Sequence, residues 1–514
     1  MANPDIRQAG SQEATKSGFS SADDVKRRIA IVGGGVGGLT AALLLTNRGY
    51  KVDLFEKQSR LGGRLAYEEE GPFRIDQGPT IVLLPDMIRD VLGEAGVDVS
   101  RLELLPCDPL YRIHYPDGTL FEKRRDPLEN AYEVERVFPG EGKSFLMYME
   151  AMKHRFEQGK ARFLERDFVR KSDFWKPGNV SALLRLKAYR SVYGDTSAFF
   201  RSPRLREAYS FQTLYIGGSP LATPALYSLI PYSEHAHGIW YVKGGYAGLV
   251  QLLEEELLAR GAVIRTGTAV ERIVTDNGTC KGLVVGGERL AYEHVVLNGD
   301  FPLNQSLLDS HVAVDRGHSR SYKPSSGCLL LYLGLNRTYR SASVHQFFFA
   351  DSYQELAQDV FSRQQLPRDP YMYVFHPSLV DTSLAPEGHS VMYVLVPVPS
   401  GESIDWAEAK AAFVDKVLQR LESRGFPDLR SSIVWQRVRT PEDAAVDGLY
   451  GGGSFGIAPT LGQSGVFRPQ VAPYGVKGLY AVGASVHPGG GVPIVMQGAK
   501  LLADYIERAS GASA

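Results

Sequence analysis

Several features that would place a chain in a class at once are scarce here. Among 514 residues there are three cysteines, Cys107, Cys280 and Cys328, too few for a disulfide framework and without CxxC or metal-ligand spacing, so a reducing compartment fits best. The longest apolar stretches, such as residues 328–333, fall far short of the roughly 20 residues that span a bilayer. Neither sign of charge dominates: 57 Lys and Arg stand against 58 Asp and Glu, a net charge of −1, and nothing calls for a nucleic-acid partner. Residues 1–26 lack the apolar segment of a signal peptide and read as a disordered polar tail. Internal repeats and low-complexity tracts are also missing. These absences leave a cytoplasmic protein, soluble or seated on a membrane surface, with a length prior of roughly three domain-sized units.

What is present begins at Arg27 with RRIAIVGGGVGGLTAALLLTNRGYKVDLFEK. A short apolar run leads straight into glycines, and an Ala- and Leu-rich run follows, the pattern of strand, turn and helix. Gly33 suits the tight turn, Gly35 a close approach of backbone to a pyrophosphate, and Gly38 close packing of helix on strand, with the helix N-terminus offering free N–H groups. A second strand ends at Glu56, 23 positions past Gly33, near the roughly 20 expected for a carboxylate that binds a ribose 2′-hydroxyl. No Lys-Ser or Lys-Thr follows the glycines, which excludes a P-loop, and the carboxylate disfavours a 2′-phosphate. FAD and NAD remain.

The first βαβ unit occupies residues 27–86, and a hairpin closes on Asp76-Gln77-Gly78-Pro79-Thr80. Residues 87–235 read as mostly helical with aromatic-rich interruptions. Residues 236–308 return to the nucleotide domain, with Asp276-Asn277-Gly278 as a hairpin turn. Residues 309–433 mix strands and helices, and 434–510 repeat the opening logic of strand, glycine turn and helix. The nucleotide domain is thus built from three separated segments. His235 and His237 share a face if that stretch is a strand, but no third ligand is evident and no metal is expected.

The chain resembles the bacterial FAD-dependent carotenoid desaturases, most nearly the C30 enzymes acting on dehydrosqualene (4,4′-diapophytoene). The resemblance rests on DQGPTIVLLPD at 76–86, FLERDFVRKSDF at 163–174, FQTLYIGGSP at 211–220, YVKGG at 241–245, FGIAPTLGQSGVFRPQ at 455–470 and GASVHPGGGVPIVMQGAK at 483–500. It implies an α/β (α+β) fold: a FAD-binding Rossmann-type domain of the flavin amine oxidase and desaturase superfamily, a substrate-binding domain, and a helical membrane-associating region. It assigns the first glycine turn, Glu56 and Lys57 to the ADP half of FAD. Gly63, Arg64 and Gly78-Pro79-Thr80 go to the ribityl and flavin side, and Val270 to an adenine contact. Gly483, Ala484 and Gly490-Gly491-Val492 go to the turn that closes on the cofactor, with His487 and Pro488 beside the ring. The family's Asp-x-x-basic pair near the flavin has two frames here, Asp167 with Arg170 or Asp173 with Lys176, and the second fits the downstream spacing better. His487 and Asp173 are the candidate catalytic residues.

The implied reaction passes a hydride from a C30 or C40 carotenoid to FAD, with a quinone or oxygen as final acceptor. Such a substrate has no polar handle, so a long apolar tunnel must hold it, at about 25 cal/mol per Å² of surface removed from water. The rival readings are a carotenoid terminal-methyl oxidase or ketolase of the same fold, a prenyl-lipid escort without flavin, and an amine oxidase. HPGGGVP, where desaturases more usually have HPGAGVP, leans slightly to the oxidase. Within residues 151–190, eleven Lys and Arg against four Asp and Glu are interleaved with Phe156, Phe163, Leu164, Phe168, Phe174, Trp175, Leu183 and Leu184, as suits a segment docking on an anionic membrane surface.

Overall fold

Residues Arg28–Val32 form the central strand of a parallel sheet because Ile29, Ala30 and Ile31 are wholly buried and a strand covered on both faces needs a continuous apolar run. The computed structural model describes residues 6–7, 28–308 and 321–511. In the first sheet the strands Val263–Arg265, Lys51–Phe55, Arg28–Val32, His294–Leu297 and Leu479–Ala481 lie side by side and parallel, with Ile6–Arg7 antiparallel at one edge. All three separated segments therefore contribute strands. The rest of the tail read at 1–26 lies outside the described residues.

The first helix, Val36–Asn47, is buried from Val36 through Leu45. A helix apolar on every side must be enclosed, and this one is packed between Tyr246–Ala259 and Val492–Ala509. The strand order places a topological switch point beside Arg28–Val32, and ligands of open α/β sheets bind outside the carboxyl ends of the strands there.

A second, seven-stranded sheet carries the other half of the molecule. Its order is Ile433–Arg439, Gly327–Leu335, Ser390–Val398, Met372–Phe375, His345–Phe348, Tyr111–His114 and Leu120–Lys123. Gly327–Leu335 is buried along its whole length. The segment read as mostly helical, 87–235, thus supplies a hairpin to this sheet, and residues 433–439 join it instead of the nucleotide sheet. Helices from 142–237 lie over its aromatic face. Asp276-Asn277-Gly278 does form a hairpin turn, with φ of 47° at Asn277 and 71° at Gly278. His235 and His237 lie on a helix, Leu229–His237, not on a strand. Pro231 suits the first turn of that helix, and the His235 ring is occupied by the Arg124 carbonyl at 2.8 Å and the Tyr209 hydroxyl at 3.3 Å. Among the described residues no group of His, Cys, Asp or Glu could hold a metal, and no helix is long and apolar enough to cross a membrane.

Candidate active site

One cavity of about 980 Å³ runs from the carboxyl ends of the first sheet to the aromatic face of the second. At the nucleotide end, Gly33 takes a φ of 106° that side chains rarely adopt, and a Cβ on Gly38 would stand 2.2 Å from the Gly33 carbonyl oxygen. Gly38 therefore packs helix on strand and does not line the cavity, whereas Gly33 and Gly35 do. Glu56 is buried in the wall, its carboxylate accepting the Gly34 N–H at 2.7 Å and the Gln58 N–H at 2.8 Å. Lys57, Gly63, Arg64, Gly78, Pro79, Thr80, Val270, Gly483, Ala484, Gly490, Gly491 and Val492 all line the same cavity. Residues 450 positions apart in the chain are thus brought together, and the glycine cradle, the acid and the free N-terminus of Val492–Ala509 suit a dinucleotide.

Sequence reasoning missed Asn298 and Asp300. Asn298 donates to the Gly33 carbonyl at 3.0 Å. The Asp300 carboxylate gathers Arg64 at 2.8 Å, the Ser485 hydroxyl at 2.8 Å and the Tyr450 N–H at 3.0 Å. The available signal was the polar Asn-Gly-Asp directly after the apolar strand His294–Leu297, at the sheet end where ligands bind.

His487 lines the cavity and is buried. Its Nε2 lies 2.9 Å from the Arg166 carbonyl, which can only accept, so Nε2 carries the hydrogen and Nδ1 has a free lone pair. Nδ1 has no partner. Burial, aided by the nearby Arg468 cation, pulls the imidazole down to about 4. Asp173 is not brought to the cavity: it pairs with Lys176 at 2.9 Å on the surface. Asp167 pairs with Arg508. A spacing of three positions told nothing of which way these carboxylates turn.

Thr80 is held from behind. Its hydroxyl lies 2.7 Å from that of Tyr373, which lies 2.7 Å from His345 Nδ1, while His345 Nε2 is 3.5 Å from Cys107 Sγ. Burial holds His345 down to about 3, so this chain of hydrogen bonds is neutral and orients Thr80. Beyond Thr80 the cavity becomes an aromatic gallery. Phe347 stacks on Tyr373 at 4.8 Å and meets Phe211 at 4.7 Å, and Phe349 lies 4.5 Å from Tyr371.

The other apolar wall is formed by Gly159, Phe163, Leu164, Leu226 and Gly465. Phe156, Phe163, Phe168 and Phe174 of the basic segment are buried, whereas Trp175 and Leu184 are 52% and 63% exposed. Exposed Phe467 lies 6.1 Å from the Trp175 ring. Arg162, Arg166, Arg170, Arg185 and Arg190 of the same segment are exposed as well.

Comparison with known proteins agrees with this geometry. The profile of the family described as flavin containing amine oxidoreductase matches residues 36–506. A 4,4′-diapolycopen-4-al dehydrogenase of Metabacillus indicus is 51% identical, over 93% of this chain and 96% of that protein. A zeta-carotene-forming phytoene desaturase of Myxococcus xanthus is 37% identical, over 95% of each. Among solved structures, an oxidoreductase from Methanosarcina mazei shares the fold with a TM-score of 0.66, over 93% of this chain and 100% of that one, at 15% identity.

Proposed function

Because the chain belongs to the flavin-containing amine oxidoreductase family, whose cofactor is FAD, we propose that it dehydrogenates a linear C30 or C40 carotenoid, introducing conjugated double bonds. The observation that carries this reading is the continuity of the cavity, which joins the dinucleotide cradle to an aromatic gallery. When bound, FAD supplies the acceptor for the hydride. The protein's share is to bind, align and keep dry. The gallery holds a hydrocarbon by burial alone, and its aromatic faces suit a polyene on which positive charge develops.

His487 is the proposed proton acceptor. The residue lines the cavity, and its Nδ1 is enclosed there without a hydrogen-bond partner. A basicity as low as about 4 suffices, because hydride loss leaves an allylic cation whose neighbouring C–H bond is strongly acidic. Electrons leave to a quinone or to oxygen.

The substrate is held in a bilayer, so a peripheral position on an anionic membrane surface goes with this reading. It is supported by Trp175 and Leu184, exposed in a segment rich in exposed arginines, and by exposed Phe467 beside Trp175. Near an anionic leaflet each basic residue contributes about 1 kcal/mol.

A second reading is favoured by the 51% identity to the aldehyde dehydrogenase: oxidation at an oxygenated chain end in the same cavity. Dehydrosqualene, phytoene and 4,4′-diapolycopen-4-al are to be supplied separately in liposomes to the FAD-loaded protein, with products identified by absorbance and mass. New conjugated double bonds in either hydrocarbon support desaturation. Turnover of the aldehyde alone replaces it with the second reading.

A further inference from the structure

Arg468 carries a charge that no carboxylate among the described residues neutralises. Its side chain is 2% exposed. Nη1 donates to the Gln463 carbonyl at 3.3 Å, Nη2 donates to the Ala484 carbonyl, and Nε has no partner. Other deeply held cations are paired, Lys123 with Glu234 and Arg155 with Asp195. The carboxylate whose field reaches it, Asp300, is already bonded to Arg64. Burial lowers the basicity of the guanidinium, but an arginine does not give up its proton in a protein. A buried charge is costly unless something of opposite sign completes it.

Its place in the fold says which part of the cavity lacks that complement. Arg468 lines the cavity. A Cβ on Gly489 would stand 3.8 Å from the guanidinium carbon, and Ala484 and Gly489 belong to the turn leading into the helix Val492–Ala509. The phosphate-cradling glycines reach the start of that turn, where a Cβ on Gly37 would stand 3.4 Å from the Gly483 Cα. Arg468 meets the turn further along, at the Ala484 carbonyl and at Gly489, close enough to His487 for its charge to lower that imidazole's basicity, and just before the N-terminus of the last helix.

We propose that Arg468, together with that helix N-terminus, is the counter-charge for the negative charge that two-electron reduction places on the flavin ring. A substrate C–H bond breaks and its hydrogen leaves with the electron pair. The neutral ring that receives them gains one negative charge, and the proton from the adjacent carbon goes to a base. A cation fixed beside the ring favours the reduced form and so raises the potential of the bound cofactor. Arg468 touches the cofactor on this account and not the substrate. The proposal rests on the flavin chemistry above but not on which polyene is oxidised.

The test is an anaerobic reductive titration of FAD-loaded protein against a reference dye, which needs no polyene. Its failure is thereby distinct from a failure of the substrate assignment. Arg468→Met is expected to retain FAD while the reduced form loses at least tenfold in stability relative to the oxidised form, about 30 mV for a two-electron couple. Arg468→Lys should recover most of that shift. If Arg468→Met does not fold, Arg468→Gln, which keeps donors for the two carbonyls, is compared with Arg468→Lys. An unchanged potential in the neutral variant overturns the proposal. So does a tenfold or greater loss of FAD affinity with the potential of the retained flavin unchanged, which assigns the arginine to the pyrophosphate.

Discussion

Replacing Glu56 by Gln perturbs the nucleotide end of the cavity with almost no change of shape. The carboxylate accepts two backbone N–H groups, from Gly34 at 2.7 Å and Gln58 at 2.8 Å, and keeps lone pairs for a ribose hydroxyl. An amide has one oxygen, so one of those N–H groups must face its NH₂. Hydrogen bonds to a charged group are worth about 1.5–3 kcal/mol and neutral ones about 0.5–1.5. Weakening the ribose contact and misplacing the Gly34 turn together should therefore cost ~1.5–3 kcal/mol of FAD binding. That corresponds to a ten- to hundredfold rise in Kd. Quenching of FAD fluorescence on titration with apoprotein measures it, and thermal unfolding of the apo form separates lost affinity from lost fold. A Glu56→Gln protein that folds normally and binds FAD as tightly as the parent would refute the assignment of this carboxylate.

Three further outcomes are expected. Lys123 and Glu234 form a fully buried pair at 2.8 Å, with the Tyr111 hydroxyl also on Glu234; Lys123→Met should cost about 3–5 kcal/mol in denaturant unfolding by stranding the carboxylate, and adding Glu234→Gln should recover most of it. His487 is held down to about 4 from an ordinary 6.5, so the unfolded chain binds its proton first and the group's contribution is complete above pH 6.5 and lost as pH falls toward 4. It amounts to at most ~1.4 kcal/mol per pH unit; His487→Phe should flatten the parent's stability loss in that window, and an equally steep loss in the variant would show that the ring is not held neutral. Changing Trp175, Leu184 and Phe467 together to Ser should reduce sedimentation with anionic liposomes while FAD stays bound, and salt should weaken the parent's binding; a variant that sediments like the parent moves the docking surface elsewhere.

The parts legible in the sequence are those whose cause is local. The run Arg28–Val32, the glycines and the enclosed helix after them announce themselves within twenty residues, as does the turn at Asn277-Gly278. The parts that were not legible depend on distant partners. Asp300 matters because Arg64, Tyr450 and Ser485 converge on it from three segments. The aromatic-rich stretch before residue 235 hid the hairpin Tyr111–His114 and Leu120–Lys123, whose pairing partner His345–Phe348 lies more than 200 residues on. Asp167 and Asp173 each fitted the Asp-x-x-basic pattern, Asp173 with the better downstream spacing, and only packing reveals that both face Lys or Arg at the surface. Arg468 stood within a recognised motif, but its lack of an ion-pair partner among the described residues is a property of the assembled cavity.

The most direct test of the account is the anaerobic bleaching of the bound flavin by candidate reductants. FAD-loaded protein is mixed with dehydrosqualene or phytoene in liposomes, and separately with putrescine, while flavin absorbance and product mass are followed. The account predicts bleaching by a polyene, with a loss of two hydrogens and a red shift for each double bond formed, and no bleaching by the amine. Flavin that the amine reduces and no polyene does would contradict it.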